Sequence, residues 1–338
     1  MRPRFIYYAI LFLLSLIVMG SLAMSSGLNR EGTIELDGMI YGTAPKPFVY
    51  RQLMPATVRF TVQAIPADMR IAMIERALKS STIARIMSRL KLSGDLFVDY
   101  AVSVFFIYVS LWGFLLSFRF LLVRLYETTL FFADAVTAAA LIGIPAFFGF
   151  SYIYDIPTLF LFTLGLGIML TRRWSLYLFL FFIGCWSKET MILLTLVFVI
   201  HFYFNTEMDR RLMKKLLAAQ IGIFLSVKII LEIVFYQNPG GLIEFHFIHN
   251  LLFGYHYYLT TFLSWIVLAL LLFYKWKEKP AFLKNALWIG APLFVLTLFL
   301  GFLYEIRDYG ELYPILIGLT AHSVAVILNI PCLPKENI

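Results

Sequence analysis

Long apolar runs alternate with short polar segments along nearly the whole chain. The runs are about 16 to 30 residues long, and a helix needs about 20 mainly apolar residues to cross a bilayer. The pattern therefore predicts an all-α polytopic membrane protein with about ten transmembrane helices in a single domain, residues 1-338. The predicted helices lie at about 5–24, 100–121, 128–148, 155–171, 174–204 (as two short helices), 217–235, 259–274, 287–304 and 315–330.

The stretch 174–204 is long for one crossing and carries Lys188 and Glu189 near its middle. A single crossing would place the basic segment 210–215 outside, whereas basic residues concentrate in cytoplasmic loops. A hairpin of two short helices that meet at residues 186–190 (WSKET) removes this conflict. The hairpin also brings Lys188 and Glu189 toward the external side.

The first helix is predicted to begin in the cytoplasm, because Arg2 and Arg4 precede it. A signal peptide is the alternative interpretation. The apolar run from Ile6 to Met24 is long enough to span a bilayer, which favours a retained helix. With ten crossings, both termini are expected in the cytoplasm.

Residues 25-99 form a long external loop in this topology. Within it, residues 69–79 and 83–92 combine apolar positions with basic ones, a pattern that predicts two amphipathic helices in the membrane interface. Long loops are translocated largely regardless of charge, so the arginines of this segment agree with an external position.

Composition supports a membrane protein and excludes an ordinary soluble globule. Hydrophobic residues make up 61% of the chain and charged residues 14%, and the mean hydropathy is +0.84. The net charge of +8 comes from basic residues in short loops between apolar runs, which set topology and give no sign of nucleic-acid binding. Cys185 and Cys332 are far apart in the sequence, so no structural disulfide is expected.

One polar segment, residues 37–55 (DGMIYGTAPKPFVYRQLMP), stands out soon after the first helix. It contains Asp37, Tyr41, Tyr50, Arg51 and three prolines. Irregular backbone beside a bilayer needs protein or a water-filled cavity to satisfy its hydrogen bonds, so we expect this segment to line a site at the membrane surface. The alternative is a folded loop in which Asp37 caps a turn and Arg51 binds lipid phosphate.

Charged residues gather in the predicted external loops, whereas the cytoplasmic loops carry mainly topology-setting basic residues. The external group consists of Asp37, Arg51, Asp155, Lys188, Glu189, Glu305, Arg307, Asp308 and Glu311. Such a group fits chemistry on a lipid-linked phosphate, where cations hold the anion and a carboxylate activates a nucleophile. Lys188 and Glu189 are the most informative members, since a charged pair at a hairpin tip is costly unless it faces a cavity.

Two other patterns have competing interpretations. Lys228 and Glu232 lie four residues apart within a predicted span, where they can pair with each other, and a functional role stays open beside this structural one. His246, His249 and His256 could bind a metal, but no zinc-binding pattern supports them and a structural role is favoured. The sequence has no phosphate-binding loop and no hydrolase elbow.

The order of these elements resembles the GT-C superfamily of polyprenyl-phosphate-sugar-dependent glycosyltransferases. The shared features are a first helix, a long external loop that opens with an acidic residue and contains interfacial helices, and a bundle whose short external loops carry further acidic residues. The residues that carry the resemblance are Asp37 in ELDGMIYG and Asp155 in YDIP, together with the segments PFVYRQLMP, WSKET and EIRDYGELYP.

The resemblance implies an inverting transfer of sugar from a polyprenyl-phosphate donor to an extracytoplasmic glycan, lipid or protein acceptor. It assigns the catalytic role to Asp37, as base, and to Asp155. Arg51 and either Lys188 or Arg307 would stabilise the departing phosphate. The expected substrate-binding residues are Tyr41, Tyr50, Arg51, Lys188, Glu189, Glu305 and Arg307. The chain has no clear DxD or EExD pair, so a divalent cation, Mg²⁺ or Mn²⁺, stays open.

Two other functions compete with the enzyme. A transporter or flippase of lipid-linked glycans would need polar residues along a path through the bundle, often on broken helices in paired halves. The sequence shows one broken region and no half-repeat, which favours the enzyme. A non-catalytic membrane protein of envelope assembly is the third function. For each of them the expected location is a bacterial plasma (inner) membrane, with the site on the external face.

Overall fold

The chain is mainly helical. A computed structural model describes residues 2–24, 26–28, 35–203, 209–241, 245–253 and 259–335. His256 and parts of the predicted external loops lie outside the described residues. The α-helices are α1 (Arg2–Ala23), α2 (Leu36–Tyr41), α3 (Leu53–Ala64), α4 (Ala67–Lys79), α5 (Ser81–Arg89), α6 (Phe97–Leu125), α7 (Leu130–Phe147), α8 (Asp155–Leu170), α9 (Trp174–Cys185), α10 (Leu193–Phe198), α11 (Arg210–Val234), α12 (Phe247–Phe253), α13 (Leu259–Phe273), α14 (Ala281–Ala286), α15 (Gly290–Leu300) and α16 (Tyr313–Ile327).

Six helical stretches among the described residues are long and apolar enough to cross a membrane. They are Phe5–Ala23, Gly94–Leu125, Leu130–Phe147, Arg210–Val234, Ala281–Leu300 and Ile306–Ile327. Four shorter apolar helices accompany them: Asp155–Leu170, Trp174–Cys185, Glu189–Tyr203 and Leu263–Phe273. These positions coincide with the apolar runs of the sequence and indicate a multi-pass membrane protein. The number of crossings and their orientation stay predictions.

The segment after α1 contains more helix than the sequence predicted. Helices α4 and α5 form where the amphipathic pattern predicted two helices. Helix α3 was not predicted, and it begins inside the polar segment 37–55. The backbone N–H of Leu53, its first residue, donates to the carbonyl of Trp186 at 2.8 Å, which joins this segment to the α9–α10 break.

Helices α6 and α8 form the centre of the bundle, and their close contact is reciprocal. Gly113 on α6 faces the ring of Phe160, and Gly167 on α8 faces the ring of Phe120. A Cβ atom added at either glycine would lie within 2.9 Å of the opposite ring. Small residues that let helices approach closely are typical of packing within membranes, where van der Waals contact is a main driving force.

A short strand pair, which the sequence did not predict, accompanies the helices. Strand β1 (Tyr126–Thr128) follows α6 and pairs antiparallel with β2 (Cys332–Pro334) near the end of the chain. Lys335 extends the contact, since its backbone N–H donates to the carbonyl of Leu125 at 3.0 Å. The carbonyls at the end of α6 thereby find partners in the C-terminal segment.

Candidate functional site

A cavity of about 980 Å³ lies where the polar segment 37–55 meets the α9–α10 break, the C-terminal half of α11 and the loop after α15. Charged, aromatic and aliphatic side chains share its wall. The lining residues are Pro45, Lys46, Pro47, Phe48, Tyr50, Arg51, Tyr152, Glu189, Leu225, Lys228, Ile229, Glu232, His246, Leu300, Gly301, Phe302, Glu305, Arg307 and Asp308.

Arg51 is a fixed cation on this wall. Its Nη2 donates to Glu189 Oε1 at 2.6 Å, its Nε donates to Oε2 at 3.4 Å, and its Nη1 donates to the Tyr154 hydroxyl. The guanidinium carbon also lies 5.1 Å from the ring centroid of Phe48. Burial alone would lower the pKa of Arg51, but Glu189, Tyr154 and Asp155 together outweigh it and raise the pKa well above its ordinary value.

Lys228 shares the same carboxylate. Its Nζ lies 3.8 Å from Glu189 Oε2 and 5.9 Å from the ring centroid of Tyr50. Two cations therefore surround one carboxylate, which leaves a local excess of positive charge on this part of the wall. An excess of positive charge at a cavity favours an anionic ligand.

Lys46 and Tyr50 form a second group on the same wall, and both bind Glu232. Lys46 Nζ donates to Glu232 Oε1 at 3.1 Å and to the carbonyl of Tyr236 at 3.0 Å. The Tyr50 hydroxyl donates to the other carboxylate oxygen of Glu232. Two donors from the polar segment 37–55 thus hold one carboxylate of α11.

The opposite wall is built around Arg307. Its Nη2 donates to Glu305 Oε2 at 2.5 Å, and its Nη1 lies 3.4 Å from Asp155 Oδ2. Its guanidinium carbon lies 4.4 Å from the ring centroid of Tyr152. Asp308 follows directly on this wall and is only half-buried.

Behind the cavity lies a buried cluster, defined here as Asp155, Lys188, Arg307 and Glu311. Lys188 Nζ lies 3.7 Å from Glu311 Oε1 and 4.0 Å from Asp155 Oδ1. Asp155 begins α8, where its Oδ2 also accepts the backbone N–H of Tyr152 at 2.7 Å. Burial acts to lower the pKa of Lys188, but Glu311 and Asp155 together raise it above its ordinary value.

The two residues expected to pair within α11 do not pair with each other. Lys228 binds Glu189, and Glu232 binds Lys46 and Tyr50. The prediction of a local Lys228–Glu232 pair was therefore wrong. Both side chains instead connect α11 to other parts of the cavity wall.

The predicted site residues separate into three groups. Tyr50, Arg51, Glu189, Glu305 and Arg307 line the cavity, and their role in substrate binding stays a prediction. Asp155 and Lys188 lie behind it in the buried cluster. Asp37 and Tyr41 do not line it.

Asp37 lies in the first turn of α2, where its Oδ1 accepts the backbone N–H of Gly38 at 3.0 Å. The Tyr41 hydroxyl donates to Asp99 Oδ1 at 2.7 Å, and burial raises the pKa of Tyr41 to about 12. These contacts place both residues in polar surroundings separate from the cavity wall. The catalytic role of Asp37 stays a prediction.

Sequence reasoning gave no site role to two polar cavity residues, Lys46 and Tyr152, and left a functional role of Lys228 and Glu232 open. Lys46 had a usable signal, because it lies between two prolines in the polar segment 37–55. Asp308 was recognised as an external charge but received no role. No sequence signal distinguishes it from Glu305 or Glu311 in EIRDYGELYP.

The site has no evident metal centre. Within the described ranges, no three His, Cys, Asp or Glu side chains are placed to hold a metal ion. Glu305 and Asp155 both bind Arg307, an arrangement that suits ion pairing. The rings of His246 and His249 pack against Phe302, with centroids 4.2 and 5.1 Å apart. Among the described residues, the carboxylates and histidines of this site therefore do not fit the Mg²⁺ or Mn²⁺ that the resemblance left open.

No protein-family model, curated protein or solved structure matches the chain. The membership in the GT-C superfamily therefore stays a prediction, and a functional assignment rests on the chemistry of the cavity.

Proposed function

We propose that this chain is a membrane glycosyltransferase of the GT-C type, which transfers a sugar from a polyprenyl-phosphate donor. The observation that supports this most is a cavity that combines fixed cations with an apolar wall. Arg51 and Lys228 contribute the positive charge, whereas Leu225 and Ile229 present aliphatic side chains on the same helix as Lys228. A phosphate joined to a lipid chain has the same two kinds of surface.

In this mechanism the cations hold the phosphate as the leaving group. An acceptor hydroxyl attacks the anomeric carbon, a new carbon–oxygen bond forms, and the bond from that carbon to the phosphate oxygen breaks. The electron pair stays on the phosphate, where Arg51 and Lys228 stabilise the developing charge. Placing these cations in a partly buried wall makes their interaction with the anion stronger than in water.

The proton of the acceptor hydroxyl passes to a carboxylate, and Asp308 is best placed to take it. Asp308 lines the cavity, and within the part of the chain that the structure describes its carboxylate makes no direct ion pair. Glu189, Glu232 and Glu305 line the cavity too, but each is bound to a cation. A carboxylate held by a cation is a weaker base.

A sugar-transfer assay with purified, reconstituted protein and radiolabelled polyprenyl-phosphate sugars tests this function. We expect wild-type protein to release polyprenyl phosphate. Asp308→Asn is expected to lower turnover by about 100-fold to 10,000-fold at matched expression and thermal stability. Glu278→Gln is the matched control, since this exposed carboxylate pairs with Lys275 in the segment between α13 and α14, away from the cavity wall.

Asp37→Asn in the same assay decides between the two candidate bases. Loss of turnover in Asp37→Asn, with near-normal turnover in Asp308→Asn, would assign the base to Asp37 and reject Asp308. If no donor is cleaved by wild-type protein, glycosyl transfer is the wrong reaction for this cavity.

A flippase or transporter of lipid-linked glycans is the second candidate. The α9–α10 break supports it, because this interruption carries the buried Lys188. Charged residues at broken helices mark transport paths in many membrane proteins. Movement of a fluorescent lipid-linked sugar across the reconstituted membrane, without cleavage, would favour this function over transfer.

A further inference from the structure

Two ion pairs on the cavity wall show the same difference in solvent exposure between their two partners. In each pair the cation is less exposed than the carboxylate. The side chains of Lys46 and Arg51 are 10% and 12% exposed, whereas those of their partners Glu232 and Glu189 are 41% and 35% exposed. The cations are therefore held in place, and the carboxylates have room to turn away.

Lys46 is held by its backbone as well as by its side chain. Its N–H donates to the carbonyl of Pro239 at 2.8 Å, and the Asn238 side chain donates to the carbonyl of Ala44 at 3.0 Å. Gly240 has a φ of +94°, and a Cβ added there would lie 2.8 Å from the Lys46 carbonyl oxygen. The segment after α11 thus fixes the position of this ammonium group.

The ligands of Glu232 match those that a phosphate would use. Lys46 donates to one of its oxygen atoms and Tyr50 donates to the other. The two donors are therefore spaced to bind two oxygen atoms of one anion. Phosphate oxygens accept such pairs of charge-assisted and hydroxyl hydrogen bonds. Glu232 lines the same cavity as Arg51 and Lys228, so a lipid phosphate that enters there reaches this position.

The charge of the wall permits an exchange. On this part of the wall Lys46, Arg51 and Lys228 are three cations and Glu189 and Glu232 are two carboxylates, which gives a local net charge of +1. Arg307, Glu305 and Asp308 on the opposite wall contribute −1, so the lining as a whole is neutral. A phosphodiester brings one negative charge and makes the local group neutral. The Tyr50 hydroxyl has a single O–H donor and gives it to Glu232, so a phosphate that takes this hydrogen bond must displace Glu232.

We propose that Lys46 and Tyr50 form a phosphate-binding position that Glu232 occupies in the unliganded protein and leaves when a lipid phosphate binds. The proposal rests on the function above for the nature of the ligand. Glu232 is then an internal competitor, because ligand binds only the fraction of molecules in which this carboxylate has turned away. Lys46 binds the ligand directly.

If Glu232 competes with the ligand, removing its charge should tighten binding of the lipid phosphate. If Glu232 instead only positions Lys46 and Tyr50, its removal should weaken that binding. The measurement is binding of radiolabelled farnesyl phosphate to purified full-length protein in neutral detergent. Binding of farnesol and of inorganic phosphate is measured separately for comparison. We expect Glu232→Gln to bind farnesyl phosphate about three- to tenfold more tightly than wild type. Farnesol binding should not change. Tighter binding of inorganic phosphate alone would assign the position to a free anion and reject the lipid phosphate.

Other variants separate this proposal from a structural role. Glu232→Asp keeps the charge but is too short to reach both donors, so it should also tighten binding, and it replaces Glu232→Gln if that variant fails to fold. Lys46→Met should weaken binding about tenfold or more. Glu278→Gln should bind like wild type.

Each remaining outcome has a definite meaning. Unchanged or weaker binding in both Glu232 variants, with wild type binding farnesyl phosphate, overturns the exchange but leaves the proposed function standing. Absence of farnesyl phosphate binding in wild type and variants alike rejects the lipid-phosphate ligand and the exchange together.

Discussion

The cavity wall and the buried cluster use the same kinds of charged side chains in opposite ways. On the wall, fixed cations face partly exposed carboxylates. In the buried cluster the cations and the carboxylates are all enclosed, since the side chains of Lys188, Arg307, Asp155 and Glu311 are at most 7% exposed. Exchange with a ligand needs a partner that can leave, so the wall suits binding and the cluster suits support.

The comparison also explains why the cluster lies directly behind the wall. Arg307 belongs to both, because it lines the cavity and lies 3.4 Å from Asp155 in the cluster. A charge that is enclosed by protein and paired on several sides keeps its position. The cluster thereby holds one wall of the cavity rigid, whereas Glu232 on the other wall is the carboxylate that we propose to exchange with a ligand.

The largest expected effect tests the enclosed pairs. Lys188→Met leaves Asp155 and Glu311 with less positive charge in a place that water does not reach. We expect it to lower the free energy of unfolding by about 3–5 kcal/mol, the usual cost of breaking a buried ion pair by removing one partner. Thermal unfolding of the purified protein in detergent measures it.

The control for Lys188→Met is Lys228→Met on the cavity wall. Its side chain is 25% exposed, and its ion-pair distance to Glu189 is similar at 3.8 Å. The expected loss is about 1 kcal/mol or less. Equal losses in the two variants would remove the distinction between wall and cluster.

The next effect concerns the geometry of a fixed cation. Arg51→Lys keeps the positive charge but cannot reproduce the two bonds to Glu189 and the third to Tyr154. We expect farnesyl phosphate binding to weaken about 10- to 100-fold. Lys228→Arg is the control, because Lys228 acts at 3.8 Å as a point charge, and a change there should stay within about threefold. A tolerated Arg51→Lys would mean that charge alone binds the ligand.

A second buried lysine shows what happens without carboxylate partners. Lys279 Nζ donates to the Leu319 carbonyl at 2.5 Å and to the Ser323 hydroxyl at 2.6 Å, both neutral groups. Burial lowers the pKa of Lys279 from 10.5 to about 8. Between pH 8 and 10.5 the unfolded chain then binds more protons than the folded protein, so stability from this residue rises with pH.

The expected result is that the melting temperature of wild type gains about 2–4 °C relative to Lys279→Met as the pH is raised from about 7.5 to 9.5. Lys188 should show no such gain, because its pKa is raised and its stabilisation is retained throughout this range. Parallel curves for wild type and Lys279→Met would show that the neutral acceptors offset the cost of burial.

Much of the fold follows from local sequence information. Apolar runs locate the helices, and the polar WSKET segment locates the break between α9 and α10, because both signals lie within a few residues. The extra helix α3 escaped prediction, since its first residues share the prolines and polar residues of the preceding segment. Strands β1 and β2 escaped because they join residues about 200 positions apart.

The site depends on contacts that local sequence does not encode. Arg51 and Glu189 were expected at the cavity and line it, because both interrupt apolar surroundings. Asp37 and Asp308 look alike in sequence, since each lies in a polar segment that holds a second acidic residue nearby, yet of the two only Asp308 lines the cavity. Which loop faces inward depends on packing between helices that are distant in the chain.

The smallest expected effect concerns the energetic coupling between Lys228 and Glu232, which should be absent. Their i, i+4 spacing alone predicts a local pair. In the structure each binds a different partner, so the effects of Lys228→Met and Glu232→Gln on stability should add without an interaction term. Lys228→Met and Glu189→Gln should instead couple by about 0.5–1 kcal/mol. Both double-mutant cycles are measured by thermal unfolding. A stronger coupling between Lys228 and Glu232 than between Lys228 and Glu189 would support the local pair within α11. Glu232 would then not bind Lys46, and the proposed exchange on the cavity wall would lose its basis.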